Sequence, residues 1–213
     1  SSHNGEGVFI CSESVPAAKV QAARNAGTRV IWWYMAPHGL LEKPRITPQE
    51  GEAICCFSSY VLPDSAPSFF FQPPFDEAWR NEIGIFRPTT SHKRRCMGLY
   101  TGKGRLRPLP EELQRFLFGA EIKLFTRATP KSRSKLFRQL QQCDGLITFD
   151  ELTQLNFEAA TLGVPIFLAN PLFPPESCDS FPVPISDYIS DSAPLFFEQV
   201  RQRRNGTLKP LGL

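Results

Sequence analysis

Short apolar runs recur along this chain, and stretches with helical spacing separate many of them. Residues 145–169 show the pattern most clearly. Leu146, Ile147 and Phe149 form a run too short for a helix, suited to a strand buried on both faces. Asp150 then stands where a helix N-cap belongs, with Thr153 three residues on. Leu155, Ala159 and Leu162 fall on one helical stripe, Gly163 suits the position after the last turn, and Pro165 prevents continuation. Val164, Ile166, Phe167 and Leu168 make the next run, so the segment predicts a parallel β-α-β unit. Upstream, 94–105 reads as a strand entering a Gly102-Lys103-Gly104 turn, with a helix over 110–118. Residues 121–127 read as a strand ending at Arg127. A helix over 130–142 follows, with Pro130 near its first turn and Leu136, Phe137 and Leu140 facing inward. Strand, turn and helix recur three times before a fourth strand. A parallel sheet built this way delivers Lys103, Arg127 and the Asp150 turn to one edge.

The first third has the same rhythm with fewer helices. Residues 7–13 and 28–36 read as strands, with a helix over 16–27 that starts at Pro16 and closes at Gly27. Residues 52–60 and 67–72 are two more short apolar runs. One convincing helix is less than a nucleotide-binding α/β domain normally uses, which predicts a truncated or reduced N-terminal domain. The join is expected in the polar stretch 78–93, giving domains 1–80 and 81–213. The prolines of 171–184 suit an extended surface connection.

Composition narrows the classes. A hydrophobic fraction of 41% is ordinary for a globular protein, and 213 residues can bury a real core. A net charge of +3, without basic residues interleaved with aromatics, argues against nucleic acid as a partner. The basic clusters 92–95 and 201–204 read as solvated faces, though either could touch an acidic membrane surface. No apolar stretch reaches the roughly 18–20 residues of a transmembrane helix, and no signal peptide is evident. The chain starts at Ser1 without a methionine, so an absent natural N-terminus is expected. Cys11, Cys55, Cys56, Cys96, Cys143 and Cys178 make no C-x-x-C pair, and buried reduced thiols in a cytoplasmic protein explain them best. His3, His38 and His92 are scattered, which argues against a zinc site.

The chemistry follows from the sheet edge. A helix N-terminus in the crevice at the carboxyl ends of parallel strands can hold a phosphate on its free N–H groups. Gly102 and Gly104 let backbone approach a phosphate, and Lys103 adds positive charge. Arg107 stands where a dinucleotide fingerprint needs its third glycine, and the turn is no P-loop. Glu158, two turns along its helix, is in reach of a sugar hydroxyl; alternatively it is a solvated helix residue and Asp150 a simple cap.

The constellation Asp150, Glu158, Ala159, Gly163 and Pro165 resembles the donor-binding signature of retaining glycosyltransferases with the GT-B fold, two Rossmann-like domains facing each other across a cleft. Glu usually occupies the first position; here Asp150 has Glu151 beside it, and either could serve. The resemblance implies an α/β protein with an incomplete N-terminal, acceptor-side domain and a nucleotide-sugar-binding C-terminal domain. It places Glu158 on the ribose and Asp150 or Glu151 on the donor sugar. Lys103, Arg127 and the helix N–H groups near Leu152 to Gln154 would offset the diphosphate, without a metal or other cofactor. On the acceptor side, Glu13 and His38 follow strand ends and are the catalytic candidates; a helix N-terminal acid and a surface-loop histidine are the plainer readings. Trp32, Trp33 and Tyr34 could stack on sugar, but core packing suits them better. The implied activity is transfer of a sugar from a nucleotide-diphosphate donor to a glycan or lipid-linked hydroxyl acceptor, as in polysaccharide or cell-envelope glycan synthesis. The alternatives are a nucleotide-sugar epimerase, a non-catalytic nucleotide-sugar-binding module on the same fold, and an α/β scaffold with no ligand.

Overall fold

A computed structural model describes residues 7–12, 14–34, 46–56, 69–70, 94–102, 108–126, 128–150, 153–169, 171, 175, 185–209 and 211. The chain divides into two compact units, Ser1–Pro73 and Pro74–Leu213.

In the first unit, β1 (Val8–Ser12), α1 (Ala17–Asn25), β2 (Arg29–Tyr34), β3 (Ala53–Cys56) and β4 (Phe69–Phe70) follow one another. The strands pair in the order β1-β2-β3-β4, all parallel. Val30, Trp32 and Tyr34 alternate along β2 as its buried residues, so the period-two pattern sends two of the three consecutive aromatics to the core. Trp33 is half-buried. A polar network ties α1 to the sheet. Arg24 donates through Nε and Nη2 to the two carboxylate oxygens of Glu52, at 2.6 and 2.8 Å. The Trp32 indole N–H and the Gln49 amide donate to the same carboxylate, at 2.6 and 2.9 Å. The Arg24 guanidinium lies 6.0 Å from the centre of the Trp32 ring. These contacts, the arginine first, outweigh burial and hold the Glu52 carboxyl down at about 2, from an ordinary 4.5.

The second unit is a doubly wound sheet. Its elements are β5 (Cys96–Tyr100), α2 (Glu111–Leu117), β6 (Glu121–Phe125), α3 (Arg133–Gln141), β7 (Gly145–Thr148), α4 (Gln154–Thr161), β8 (Ile166–Leu168), β9 (Ile189–Ser190) and α5 (Ala193–Arg204). The strand order is β6-β5-β7-β8-β9, and every pairing is parallel. A Rossmann-like α/β arrangement follows. The chain winds outward from β5 to β6, then crosses back to β7 on the other side of β5. That reversal makes the gap between the carboxyl ends of β5 and β7 the topological switch point, where ligands of open α/β sheets bind.

Alternation along each strand divides the core in two. Cys96, Tyr100, Phe125, Leu146, Ile166 and Leu168 face one layer with Phe137 and Leu140 of α3 and Leu155, Phe157, Ala159 and Ala160 of α4. Met97, Ile147 and Phe167 face the other layer, with Leu113 of α2 and Ala193, Phe196 and Val200 of α5. Gly98 and Gly145 leave room for this packing: a Cβ on Gly98 would sit 2.8 Å from the Phe125 ring, and one on Gly145 equally close to Met97 and Phe196.

Several boundaries differ from expectation for local reasons. Helix α3 begins at Arg133 instead of beside Pro130, because the Ser132 hydroxyl accepts the Lys135 amide and sets the start there. Helix α4 begins at Gln154 with Thr153 at the N-cap position, not Asp150. It is also not amphipathic: every residue from Leu155 to Thr161 is buried. Its apolar residues belong to a cluster that also takes in Ile185 and Tyr188, with Leu208 and Leu211 packed against it, more burial than the one-stripe reading foresaw. Gly163 closes the helix at φ +66°, as its position implied. A fifth strand, β9, extends the sheet beyond the four expected.

The basic run at 201–204 is the largest departure. Arg203 is only 4% exposed. It donates to the carbonyls of Gln141 (3.0 Å), Cys143 (2.8 Å), Leu162 (2.9 Å) and Gly163 (2.7 Å). Arg204 pairs with Asp144 at 2.8 Å, and the same Asp144 oxygen accepts the Cys96 amide at 2.9 Å. Arg201 does lie on an exposed face. Cys11, Cys55, Cys56, Cys96 and Cys143 are buried and form no disulfide, and Cys178 lies outside the described residues. Among the described residues no helix is long and apolar enough to cross a membrane.

Arg203→Ala strands four carbonyls and is expected to lower stability by about 3 kcal/mol or more, against about 0.5 kcal/mol or less for Arg201→Ala, measured by urea unfolding. Because the folded Glu52 carboxyl lies below its unfolded value, its contribution is full above about pH 5 and is lost as pH falls towards 2. The loss is on the order of 3 kcal/mol. Acid unfolding of the wild type is therefore expected to be steeper over that window than that of Glu52→Gln.

Candidate functional site

The carboxyl edge of the second sheet is built by local bonding at its strand ends. After β7, the Thr148 hydroxyl accepts the Asp150 amide and lies 3.1 Å from the Asp150 carbonyl, to which it donates. The Phe149 amide donates to the Tyr100 carbonyl at 3.1 Å, joining the end of β7 to the end of β5. The side-chain amide of Asn156, one turn into α4, donates to the Asp150 carbonyl at 3.0 Å. The backbone of Asp150 is thus engaged in the turn, which is why the cap falls later, at Thr153.

Gly102 completes the junction. Its φ is +55°, and a Cβ there would lie 2.5 Å from Asp150 Cβ and 2.9 Å from the Tyr100 ring. The missing side chain is therefore used by Asp150. The glycine was expected to let backbone approach a phosphate; the space its missing side chain leaves is taken by the acid from the neighbouring strand end, at the switch point.

Beside this junction lies an open cleft of about 330 Å³. Tyr100 and Phe125 form its floor at the ends of β5 and β6, Lys131, Ser132 and Arg133 form the wall at the start of α3, and Thr153, Gln154 and Glu158 form the wall of α4. Glu158 is 5% exposed. Its Oε1 accepts from the Gln154 side-chain amide at 3.2 Å and lies 3.5 Å from Arg133 Nε. The Arg133 side chain is 41% exposed and its guanidinium lies 6.0 Å from the centre of the Phe137 ring on the same helix. The first turn of α3 contains no acidic residue, and Lys131, Arg133 and Lys135 crowd its positive end. Such charges oppose the helix dipole, each by about 0.3–1 kcal/mol, so an anion bound here would relieve them.

Of the residues singled out from the sequence, Thr153 and Glu158 line the cleft, and Gly102 and Asp150 meet beside its Tyr100 wall. Glu13, His38, Lys103, Gly104, Arg127 and Glu151 lie outside the described residues. Glu158 is not a solvated helix residue: it is nearly buried, on a helix whose residues from Leu155 to Thr161 are all buried. Arg133 and Lys131 were not anticipated, and Gln154 was expected only through its backbone N–H, not through the side chain that bonds Glu158. The signal for the first two was in the sequence: positive charge gathered at the start of a helix that follows a parallel strand. Among the described residues, no group of three or more His, Cys, Asp or Glu side chains could hold a metal ion.

No protein-family model matches the chain. No curated protein is significantly similar to it in sequence.

The Gly102–Asp150 contact predicts an uneven cost for glycine replacement. Gly206 also has positive φ, at +71°, but nothing lies within 4 Å of its missing Cβ. Gly206→Ala is expected to cost about 1 kcal/mol, the backbone term alone. Gly102→Ala is expected to cost about 1–3 kcal/mol more, because Asp150 and Tyr100 must move, with denaturant midpoints as the comparison.

Proposed function

We propose that the cleft at the carboxyl edge of the second unit binds the nucleoside-diphosphate part of an activated sugar, and that the protein is a glycosyltransferase of GT-B type moving that sugar to a hydroxyl acceptor. The observation that carries this reading is Glu158, a nearly buried carboxylate in the wall of an open polar cleft beside the switch point of a parallel sheet. Burying a carboxylate is expensive unless it is paired, and a helix mid-section offers many cheaper residues. A ribose, with two adjacent hydroxyl donors, suits a carboxylate so placed.

Transfer breaks the bond between the anomeric carbon and the diphosphate oxygen, and negative charge gathers on the leaving group. On this reading the N–H groups at the start of α4 and the cationic side chains around the edge, Lys103 and Arg127 among them, take up that charge. Asp150, held against Gly102, sits beside the sugar end, and Glu158 fixes the ribose, so that orientation adds to electrostatics. Glu13 and His38 remain the acceptor-side candidates, and a lipid-linked or glycan hydroxyl the proposed acceptor.

Thermal unfolding with UDP, GDP, ADP and CDP at millimolar concentration tests the reading. A nucleotide at 100 times its dissociation constant stabilises by about 2.7 kcal/mol, which moves the midpoint by several degrees. One base is expected to give that shift, and Glu158→Ala to abolish it. A flat panel with the wild-type chain would sink the proposal. Product analysis with the matching nucleotide-sugar separates transfer, which needs an acceptor, from epimerisation or simple binding.

A further inference from the structure

We propose that Arg133 determines the cleft's specificity for phosphorylated ligands: it closes on Glu158 when the cleft is empty and passes its guanidinium to a ligand phosphate when a ribose takes the carboxylate. The proposal rests on the nucleotide-sugar reading above and adds to it a residue outside the donor-binding signature.

Three observations meet here. Glu158 is almost fully buried, and Arg133 lies against it at 3.5 Å from the facing helix, so the pair bridges the two walls of the cleft. Arg133 adds a cation to a buried carboxylate that already accepts the Gln154 side-chain amide, and burial favours each such partner in the empty cleft. Arg133 itself is exposed over 41% of its side chain and reaches its position from the first turn of α3, so its head can swing without disturbing the core. Finally, Arg133 stands with Lys131 and Lys135 at the positive end of α3, where no acid balances them in the first turn. An incoming phosphate finds there a planar fork able to bond two of its oxygens at once.

The consequence is an exchange of partners. A nucleoside that takes Glu158 must displace Arg133 and offers it nothing in return. A nucleoside diphosphate displaces it and supplies a new anion. Arg133 therefore penalises the unphosphorylated ligand and rewards the phosphorylated one, and its effect appears in the ratio of the two affinities.

The test is calorimetric titration of the full chain with the nucleoside diphosphate that shifts the melting panel and with its parent nucleoside, for the wild type and for Arg133→Gln. The substitution is expected to lower the preference for the diphosphate by about tenfold or more, through weaker diphosphate binding with nucleoside binding unchanged or tighter. Arg133→Lys, which keeps the charge and loses the fork, is expected to fall between the two. Melting of the ligand-free variants checks that the fold is intact, as the exposed position of Arg133 implies. Equal weakening of both ligands, or no change in either, overturns the role assigned to Arg133 while leaving the nucleotide site standing. Absence of binding of all four nucleotides to the wild type overturns the reading beneath it.

Discussion

One buried guanidinium holds the second unit together. Arg203, on the last helix, fills a position where the chain ends of α3 and α4 expose carbonyls with no further helical turn to satisfy them. A helix C-terminus inside a core must find donors, and a single arginine supplies enough for two helices. It also reaches the Cys143 carbonyl just before β7. Burial pushes its guanidinium down to about 10, which leaves it charged at neutral pH, facing the negative ends of two helix dipoles. Asp144 and Arg204 continue the network to the first residue of β5. These bonds tie together the chain at the amino edge of the sheet.

This arrangement shapes the opposite edge. In a parallel α/β sheet every helix has one end at each edge, so satisfying the carbonyl ends at the amino edge leaves the N–H ends at the carboxyl edge. Those ends are where the cleft lies. The strand order adds the switch point between β5 and β7, and the Gly102–Asp150 contact seals its base while the space between α3 and α4 stays open. The buried polar joints and the open cleft thus lie at different edges of one sheet.

Much of this was legible in the residues, and the failures share a cause. Strand runs such as 96–100, 121–125 and 145–148 stand out because period and turn signals are local properties. Gly163 and the closing of α4 were readable for the same reason. What could not be read locally is what a side chain meets from a distant part of the chain. Arg203 looks like its exposed neighbour Arg201 until the carbonyls of residues 141, 143, 162 and 163 are brought to it. Glu158 looks solvated until its helix is seen to be buried from Leu155 to Thr161 and Arg133 of α3 is brought to it. Asp150 looks like a cap until Thr148 and Asn156 engage its backbone. In the site, the acid positions were visible from spacing, whereas the basic wall of α3 required knowing that α3 and α4 stand side by side.

Three carboxylates among the described residues are held differently, and the difference supports the ligand role proposed for Glu158. Glu52 is gripped by Arg24, Trp32 and Gln49 at 2.6–2.9 Å, and Asp144 meets Cys96 and Arg204 at 2.9 and 2.8 Å. Geometry that short makes each a fixed structural joint, and displacing such partners would cost more than a ligand hydroxyl could return. Glu158 meets Gln154 at 3.2 Å and Arg133 at 3.5 Å, and both partners stand on the cleft wall with it. Under the proposed function, a ligand hydroxyl would compete with these longer contacts, which come from side chains on the cleft wall. The same burial that makes a free carboxylate unaffordable in the empty cleft makes an incoming pair of hydroxyl donors effective there, because low local dielectric strengthens each hydrogen bond once made.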